Sequence, residues 1–321
     1  MKVVVLGGTR FIGRAAVEEL AAAGDELLLV HRGQLEPDGM PKAEHLHCDR
    51  SELGLHRGEL SAFAPDAVID CRALTRADAR GALDAMPDVR RWVVISSVDV
   101  YRAFGALNND RETDPVPIDE ESAVRPERYP YRGKMPGMDE YDKLDVEDVY
   151  LPRGATALRL PMVYGERDYQ LREEFILRRV RAGRTRIPFG SGGWLACRAY
   201  VGDVGRAVRL AVETPDATGV FNVCEDRTYS MRMWARMILD AAGSDAELVK
   251  VPDAALPEDL DLTGNVLQHI AASSGKARAA FGWTTSDPFE TLRTTVRWHI
   301  EHPPANADAD FSADDRALAS L

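Results

Sequence analysis

The run Val3 to Gly13, VVVLGGTRFIG, constrains the fold more than any other stretch. β-Branched residues lead into glycines, and an apolar helical pattern follows. The segment reads as a buried strand, a tight turn and a helix N-terminus. Such a turn presents backbone N–H groups at the positive end of a helix dipole, which suits a pyrophosphate. Gly7 permits the turn, and Gly13 lets the helix pack close to the strand. Thr9, Phe11 and Ile12 complete the cradle. At the middle position, where a dinucleotide fingerprint has its second glycine, this chain has Arg10.

Downstream, short apolar strands alternate with helical patterns. Helix is expected from Phe11 to Ala23, strand from Glu26 to Val30, and strand from Glu44 to Asp49. A short helix follows from Leu55 to Phe63, and strands from Ala67 to Asp70 and Arg91 to Ser97 enclose a further helix. This alternation predicts an α/β, doubly wound parallel sheet, whose ligands sit beyond the carboxyl ends of the strands. Those ends carry Gly7, Arg32, Asp49, Cys71 and Ser97. Arg32 follows the second strand, where a ribose-reading carboxylate is absent; its fork suits a 2′-phosphate. NADP is therefore favoured over NAD, the alternative being an exposed arginine at a strand end. Arg10 either reinforces that site from inside the turn or points to solvent.

Arg102 to Gly137 is proline-rich, charged and aperiodic, and is expected to be a lid or substrate loop. Helix is expected from Met138 to Leu151, strand from Ala155 to Leu160, and helices from Leu171 to Ala182 and Gly202 to Glu213. Beyond a short strand, Val220 to Val223, come helices from Met231 to Ala242, Gly275 to Phe281 and Asp287 to Glu301. From Pro303 an Ala/Asp-rich tail is expected to fray.

Lys+Arg of 40 against Asp+Glu of 52 gives a net charge of -12, which disfavours a general nucleic-acid or anionic-membrane binder. Cys48, Cys71, Cys197 and Cys224 form no CxxC pair, so neither a zinc ribbon nor a disulfide framework is expected, and no metal site is assigned. No apolar run approaches a membrane span, and the strand at the N-terminus leaves no room for a signal peptide. A cytoplasmic location is expected.

Seven motifs then fall in one order: GGTRFIG at 7–13, ISSVDVY at 95–101, a helix with Lys143 and Glu147, LRLPMVYG at 158–165, YVGDV at 200–204, FNV at 221–223, and SSGKARAAFGW at 273–283 with WH after it. Together they resemble the extended short-chain dehydrogenase/reductase superfamily, in its NAD-dependent epimerase/dehydratase branch. The GGTRFIG variant resembles an atypical subgroup that includes proteins similar to chloroplast stem-loop-binding proteins. The resemblance implies a Rossmann domain over 1–164 plus 200–228, a smaller C-terminal α/β substrate domain over 165–199 plus 229–302, and a flexible tail over 303–321. It further implies that Asp49 contacts adenine, that Cys71 and Ser96 line the cofactor, and that Pro161 and Val163 flank the nicotinamide.

The superfamily is expected to use Ser, Tyr and Lys. Serine holds the substrate oxygen, tyrosine transfers the proton, and lysine favours the phenolate and binds the nicotinamide ribose. Ser97 and Lys143 fit the first and third roles. The position four residues before Lys143 is Asp139, which reads as an i,i+4 ion pair with it. Tyr141, about 200° round the helix from Lys143, is expected to point elsewhere. Three readings follow, ranked in order: a loop tyrosine, Tyr131 or Tyr101, replaces the donor; Asp139 acts as acid/base; or the chain binds NADP without the usual chemistry.

Arg178 to Arg186, RRVRAGRTR, reads either as a phosphate-binding segment or as a solvated helix cap. The arginine that usually precedes a YVGDV-like stretch in nucleotide-sugar enzymes aligns with Ala196, and Arg198 is displaced by two. The run from Arg167 to Glu173 lines a substrate cleft or caps a helix, and His269 reads as structural. The leading function is an NAD(P)-dependent oxidoreductase or epimerase/dehydratase acting on a small sugar-like or carbonyl substrate. The alternative is a non-catalytic NADP-binding or RNA-interacting protein. Expected partners are a small-molecule substrate, no nucleic acid and no membrane, with a homodimer left open.

Overall fold

The computed structural model of the chain describes every residue except 87, 108–110 and 307. Its strands are β1 (Lys2–Leu6), β2 (Glu26–His31), β3 (Glu44–His47), β4 (Ala67–Asp70), β5 (Arg91–Ser97), β6 (Thr156–Leu160), β7 (Met162–Tyr164), β8 (Arg186–Phe189), β9 (Arg198–Tyr200), β10 (Gly219–Asn222) and β11 (Glu247–Lys250). Its α-helices are α1 (Phe11–Ala22), α2 (Arg57–Phe63), α3 (Arg76–Ala85), α4 (Arg102–Gly105), α5 (Lys143–Tyr150), α6 (Glu174–Arg181), α7 (Val201–Glu213), α8 (Met231–Ala241), α9 (Gly275–Phe281), α10 (Pro288–Glu301) and α11 (Ser312–Ala319).

Seven strands form one parallel sheet in the order β10-β6-β5-β4-β1-β2-β3. The α/β expectation is borne out. The order reverses between β1 and β4, and ligands of doubly wound sheets sit at that switch point. Side chains alternate across each strand. Val3 and Val5 pack with Val17 and Leu20 of α1 and Val204 and Val208 of α7. Val4 and Leu6 pack with Leu60 of α2, Ala82 of α3 and Val146 of α5. Burial on both faces explains why these strands read as continuous apolar runs. A separate core joins α6, β8, α8 and α10 through Ile176, Phe189, Trp234, Ile238 and Val296.

Two expectations are corrected. The helix expected from Met138 begins at Lys143, because Asp142 caps it by accepting from the Leu144 N–H. The tail folds back as α11, where fully buried Asp314 takes both ends of the Arg179 guanidinium at 2.7 Å. The lid or substrate loop expected over 102–137, of which 108–110 lie outside the described residues, is tied to the body of the fold at Arg125. Arg125 within it is buried against Asp142 at 2.6 Å and donates to the Asp99 carbonyl at 2.9 Å.

Candidate active site and cofactor cradle

The glycine turn follows β1 at the switch point. Gly7 has φ +86°, and a Cβ there would stand 2.8 Å from the Arg72 Cγ. A Cβ on Gly13 would stand 2.1 Å from the Gly7 carbonyl oxygen. Both positions therefore need glycine. Arg10 does not, since it caps α1 with an extended backbone at φ −139°. This explains how the fingerprint loses its middle glycine without losing the turn. The Arg10 guanidinium lies 4.0 Å over the Tyr169 ring, so the side chain leans toward the chain beyond β7. Thr9 and Phe11 are buried, Phe11 at φ 42°, and Ile12 is half-buried against the α1 core. The turn at the N-terminus of α1 suits a dinucleotide pyrophosphate, and it keeps its shape because Gly7 and Gly13 carry no side chain to strike Arg72 or the Gly7 carbonyl.

Around the turn stand Arg32 beyond β2 and Arg72 beyond β4, both exposed. Sequence reasoning missed Arg72, although its place two residues past Asp70 at the switch point was the available signal. Cys71 is half-buried beside it, and burial pushes its thiol up to about 12. Asp49 caps the turn after β3, accepting from the Ser51 N–H at 3.0 Å and the Ser51 hydroxyl at 2.7 Å. Its local capping role is the one the structure displays.

Beyond β5 the chain gathers a second group. Alternation puts Ser96 and Ser97 on opposite faces. Ser96 is buried and donates to Glu147 at 2.6 Å, so its hydroxyl is turned away from the cofactor edge, against expectation. Ser97 is half-buried and accepts from the Asp99 N–H at 3.1 Å. Lys143 is buried, and its Nζ donates to the carbonyls of Ala73 at 2.6 Å and Ile95 at 2.8 Å. Burial draws this ammonium down to about 8, against the opposing pull of Asp70 and Asp99.

The sequence pattern puts Tyr141 on a helix, two residues from Lys143 and facing elsewhere; the structure does not. Since α5 starts only at Lys143, Tyr141 is not helical. Its hydroxyl donates to Asp99 Oδ2 at 2.7 Å, and the Lys143 Nζ lies 6.0 Å from its ring centroid. Burial first, then the Asp99 carboxylate, raise its pKa well above 10, while Ser97 pulls the other way. Tyr131 joins the same carboxylate at 3.3 Å, with its ring 5.2 Å from that of Tyr141. Tyr101 is corrected out of the site, since its hydroxyl is buried and spent on Asn222 at 2.7 Å. So is Asp139, which accepts from the Gly133 N–H at 2.9 Å and forms no helical ion pair with Lys143. Asp99 itself had no sequence signal. It is buried, its Oδ1 has no partner among the described residues, and burial raises its pKa.

Pro161 precedes β7 and Val163 lies within it; both are buried, Val163 in the α1 and α7 core. Nearby, Arg198 is buried against Trp234 at 4.4 Å and donates to the Ala196 carbonyl at 2.8 Å. Glu173 lies at the start of α6, 1% exposed, with both carboxylate oxygens unpartnered among the described residues. Burial, then Asp168, push it up to about 8, and burial pushes Glu225 up to about 7. Four of the five arginines in the segment 178–186 are held by carboxylates. Arg178 and Arg179 are taken by Asp259, Asp308 and Asp314, Arg181 by Glu174, and Arg184 by Asp315.

A glycine cradle at the switch point and a Ser, Tyr, Lys group beyond β5 recur together in one large family. Residues 3–224 match the model of the NAD dependent epimerase/dehydratase family. The chain belongs to that family. Among relatives, it is 26% identical over 341 residues to the chloroplast stem-loop binding protein of 41 kDa b of Arabidopsis thaliana, covering 99% of this chain and 84% of that one. It is 28% identical over 235 residues to 2'-dehydrokanamycin reductase of Streptomyces kanamyceticus, covering 68% of this chain and 60% of that one. Among solved structures, UDP-glucose 4-epimerase of Thermotoga maritima superposes with a TM-score of 0.71 at 22% identity, over 94% of this chain and 99% of the other. A Bordetella bronchiseptica enzyme in complex with NAD gives 0.69 at 18% identity, over 94% of both chains. These likenesses establish the Rossmann-type fold of the epimerase family. No helix among the described residues is long and apolar enough to cross a membrane.

Proposed function

We propose that this family member is an NADP-dependent oxidoreductase or epimerase acting on a small sugar-like or carbonyl substrate, with Tyr141 as its proton-transfer residue. The observation that carries the reading is the convergence of Tyr141, Ser97 and Lys143 beyond β5, at the same sheet edge as the glycine cradle. Gly7, Thr9, Arg10, Ile12 and Gly13 would hold the pyrophosphate, and Arg32 the adenosine 2′-phosphate. A bound nicotinamide supplies hydride acceptance and donation. Ser97 offers a hydroxyl to the substrate oxygen. Tyr141, held protonated by burial and by Asp99, would deliver a proton to that oxygen once its hydroxyl turns from the Asp99 carboxylate to which it donates, which favours the carbonyl-reducing direction. Two of the three Lys143 N–H donors are spent on carbonyls; the third is the one a ribose hydroxyl would take. As Tyr141 ionises, the nearby ammonium offsets the charge on the phenolate.

Arg198 is turned inward, two positions from where a nucleotide-sugar diphosphate would be met. A substrate without a nucleotide therefore fits better, in line with the reductase relative. The test is NADPH oxidation over a panel of simple ketones, aldoses and nucleotide sugars. Turnover abolished by Ser97→Ala and Lys143→Ala supports the enzyme. Tight NADPH binding with no turnover on any of them refutes it. Arg32→Ala should weaken NADPH far more than NADH; equal losses overturn the NADP assignment. A stem-loop RNA-binding role is the second reading, favoured by the name of the plant relative. The net charge of -12 and the internally paired arginine segment speak against it, and absence of a gel shift with stem-loop RNA would dismiss it.

A further inference from the structure

At the outer edge of the sheet three imidazoles and a carboxylate converge. β3 is the edge strand and pairs with β2 in the register Leu29↔His45 and His31↔His47. Strand alternation puts His45 and His47 on one face, with His31 beside them, while Leu46 turns toward the core. Glu36 returns to the same face from the loop after β2. The His31 Nε2 lies 2.8 Å from the His45 Nδ1, and the His47 Nε2 lies 2.5 Å from a Glu36 oxygen. That oxygen is 3.9 Å from the His31 Nε2. One ligating atom from each of the four residues falls within 4.8 Å of the other three.

We propose that His31, His45, His47 and Glu36 form a binding site for a zinc-like divalent transition-metal ion. Bond lengths of about 2.0–2.1 Å in a tetrahedral site put neighbouring donor atoms about 3.3 Å apart. The observed separations bracket that spacing, and His45, His47 and Glu36 are exposed, so small side-chain rotations close the set without moving the strands. Three imidazoles and one carboxylate suit zinc, cobalt or nickel rather than magnesium or calcium, which require oxygen donors. His31 now accepts from the Gly33 N–H through Nδ1 at 3.2 Å. Loading at Nε2 moves the ring proton to Nδ1 and gives up that contact, with no net proton released by this residue. The site sits next to Arg32, outside the glycine cradle and the Tyr141 group.

The full-length chain, stripped by chelation and then titrated with Co²⁺, provides the test. The expected result is one equivalent per chain with the strong visible bands of four-coordinate cobalt, bleached by Zn²⁺. His45→Ala and His47→Ala, whose side chains are exposed, should each weaken binding by at least about 100-fold, beyond the loss typical of an outer-shell partner. His56→Ala, at a histidine paired with Glu59 away from the cluster, should bind like the wild type. The proposal is overturned if the wild type binds no more tightly than the two variants. It is equally overturned if His56→Ala loses as much, or if bound cobalt shows only the weak bands of an octahedral ion. Circular dichroism on each variant separates loss of ligand from loss of fold.

Discussion

Replacing Glu173 with glutamine should change how stability depends on pH. Glu173 is almost wholly buried without a partner for either oxygen among the described residues, and burial with Asp168 raises its pKa from 4.5 to about 8. Above pH 4.5 the unfolded chain releases this proton while the folded chain keeps it. The folded state thus binds one more proton across that window, and stability falls as pH rises until about 8. The slope from one such proton is about 1.4 kcal/mol per pH unit. Between pH 5.5 and 7.5 Glu173 alone should cost the wild type about 3 kcal/mol. Glu225, raised to about 7, adds a parallel loss that the substitution leaves in place. Urea unfolding at the two pH values, for wild type and Glu173→Gln, measures the difference. The variant should lose about 3 kcal/mol less than the wild type over that interval. An identical pH dependence in both proteins would show that Glu173 is ionised in the folded chain, and the reasoning would fail.

Arg125→Met strands the buried Asp142 carboxylate and should cost about 3–5 kcal/mol in urea unfolding; adding Asp142→Asn should recover part of that, and no recovery would mean the ion pair is not the source. Asp99→Asn removes the carboxylate to which Tyr141 and Tyr131 both donate. Both phenols should then ionise at lower pH, seen as tyrosinate absorbance and as an alkaline limb of the rate profile moved toward neutrality. Asp314→Ala removes one of two carboxylates from the buried Arg179; it should destabilise by about 3 kcal/mol and expose α11 to proteolysis, whereas unchanged resistance would contradict its docked position.

The sheet was legible because its signals are local. Val3–Leu6 and the glycines after them dictate strand and turn, and Gly13 has no alternative residue at its distance from Gly7. The roles proposed for Ser97 and Lys143 rest on motif order. Tyr141 was not legible, because one helix boundary decided it. Asp142, an N-cap type followed by Asp145 in the first turn, was the signal that α5 begins at 143. Read from Met138 instead, the same residues turn Tyr141 away. The partners of Arg178, Arg179 and Arg184 lie 80 or more residues away, in Asp259 and in a tail whose Ala/Asp composition suggested fraying. Such acid–base matching between distant segments has no local periodicity to betray it. Asp99 and Glu173 were illegible for a related reason, since their character comes from burial that only the folded chain supplies.

In the proposed function Tyr141 takes over the proton transfer that a tyrosine four residues before Lys143 would perform. Steady-state kinetics of Tyr141→Phe and Tyr131→Phe, on the best substrate from the NADPH panel, test it most directly. Tyr141→Phe should lower kcat by about 10²–10⁴-fold with NADPH affinity retained, the range for loss of a general acid. Tyr131→Phe should keep most of the wild-type rate. A Tyr141→Phe enzyme with near wild-type kcat, beside a Tyr131→Phe enzyme that has lost it, would contradict the account.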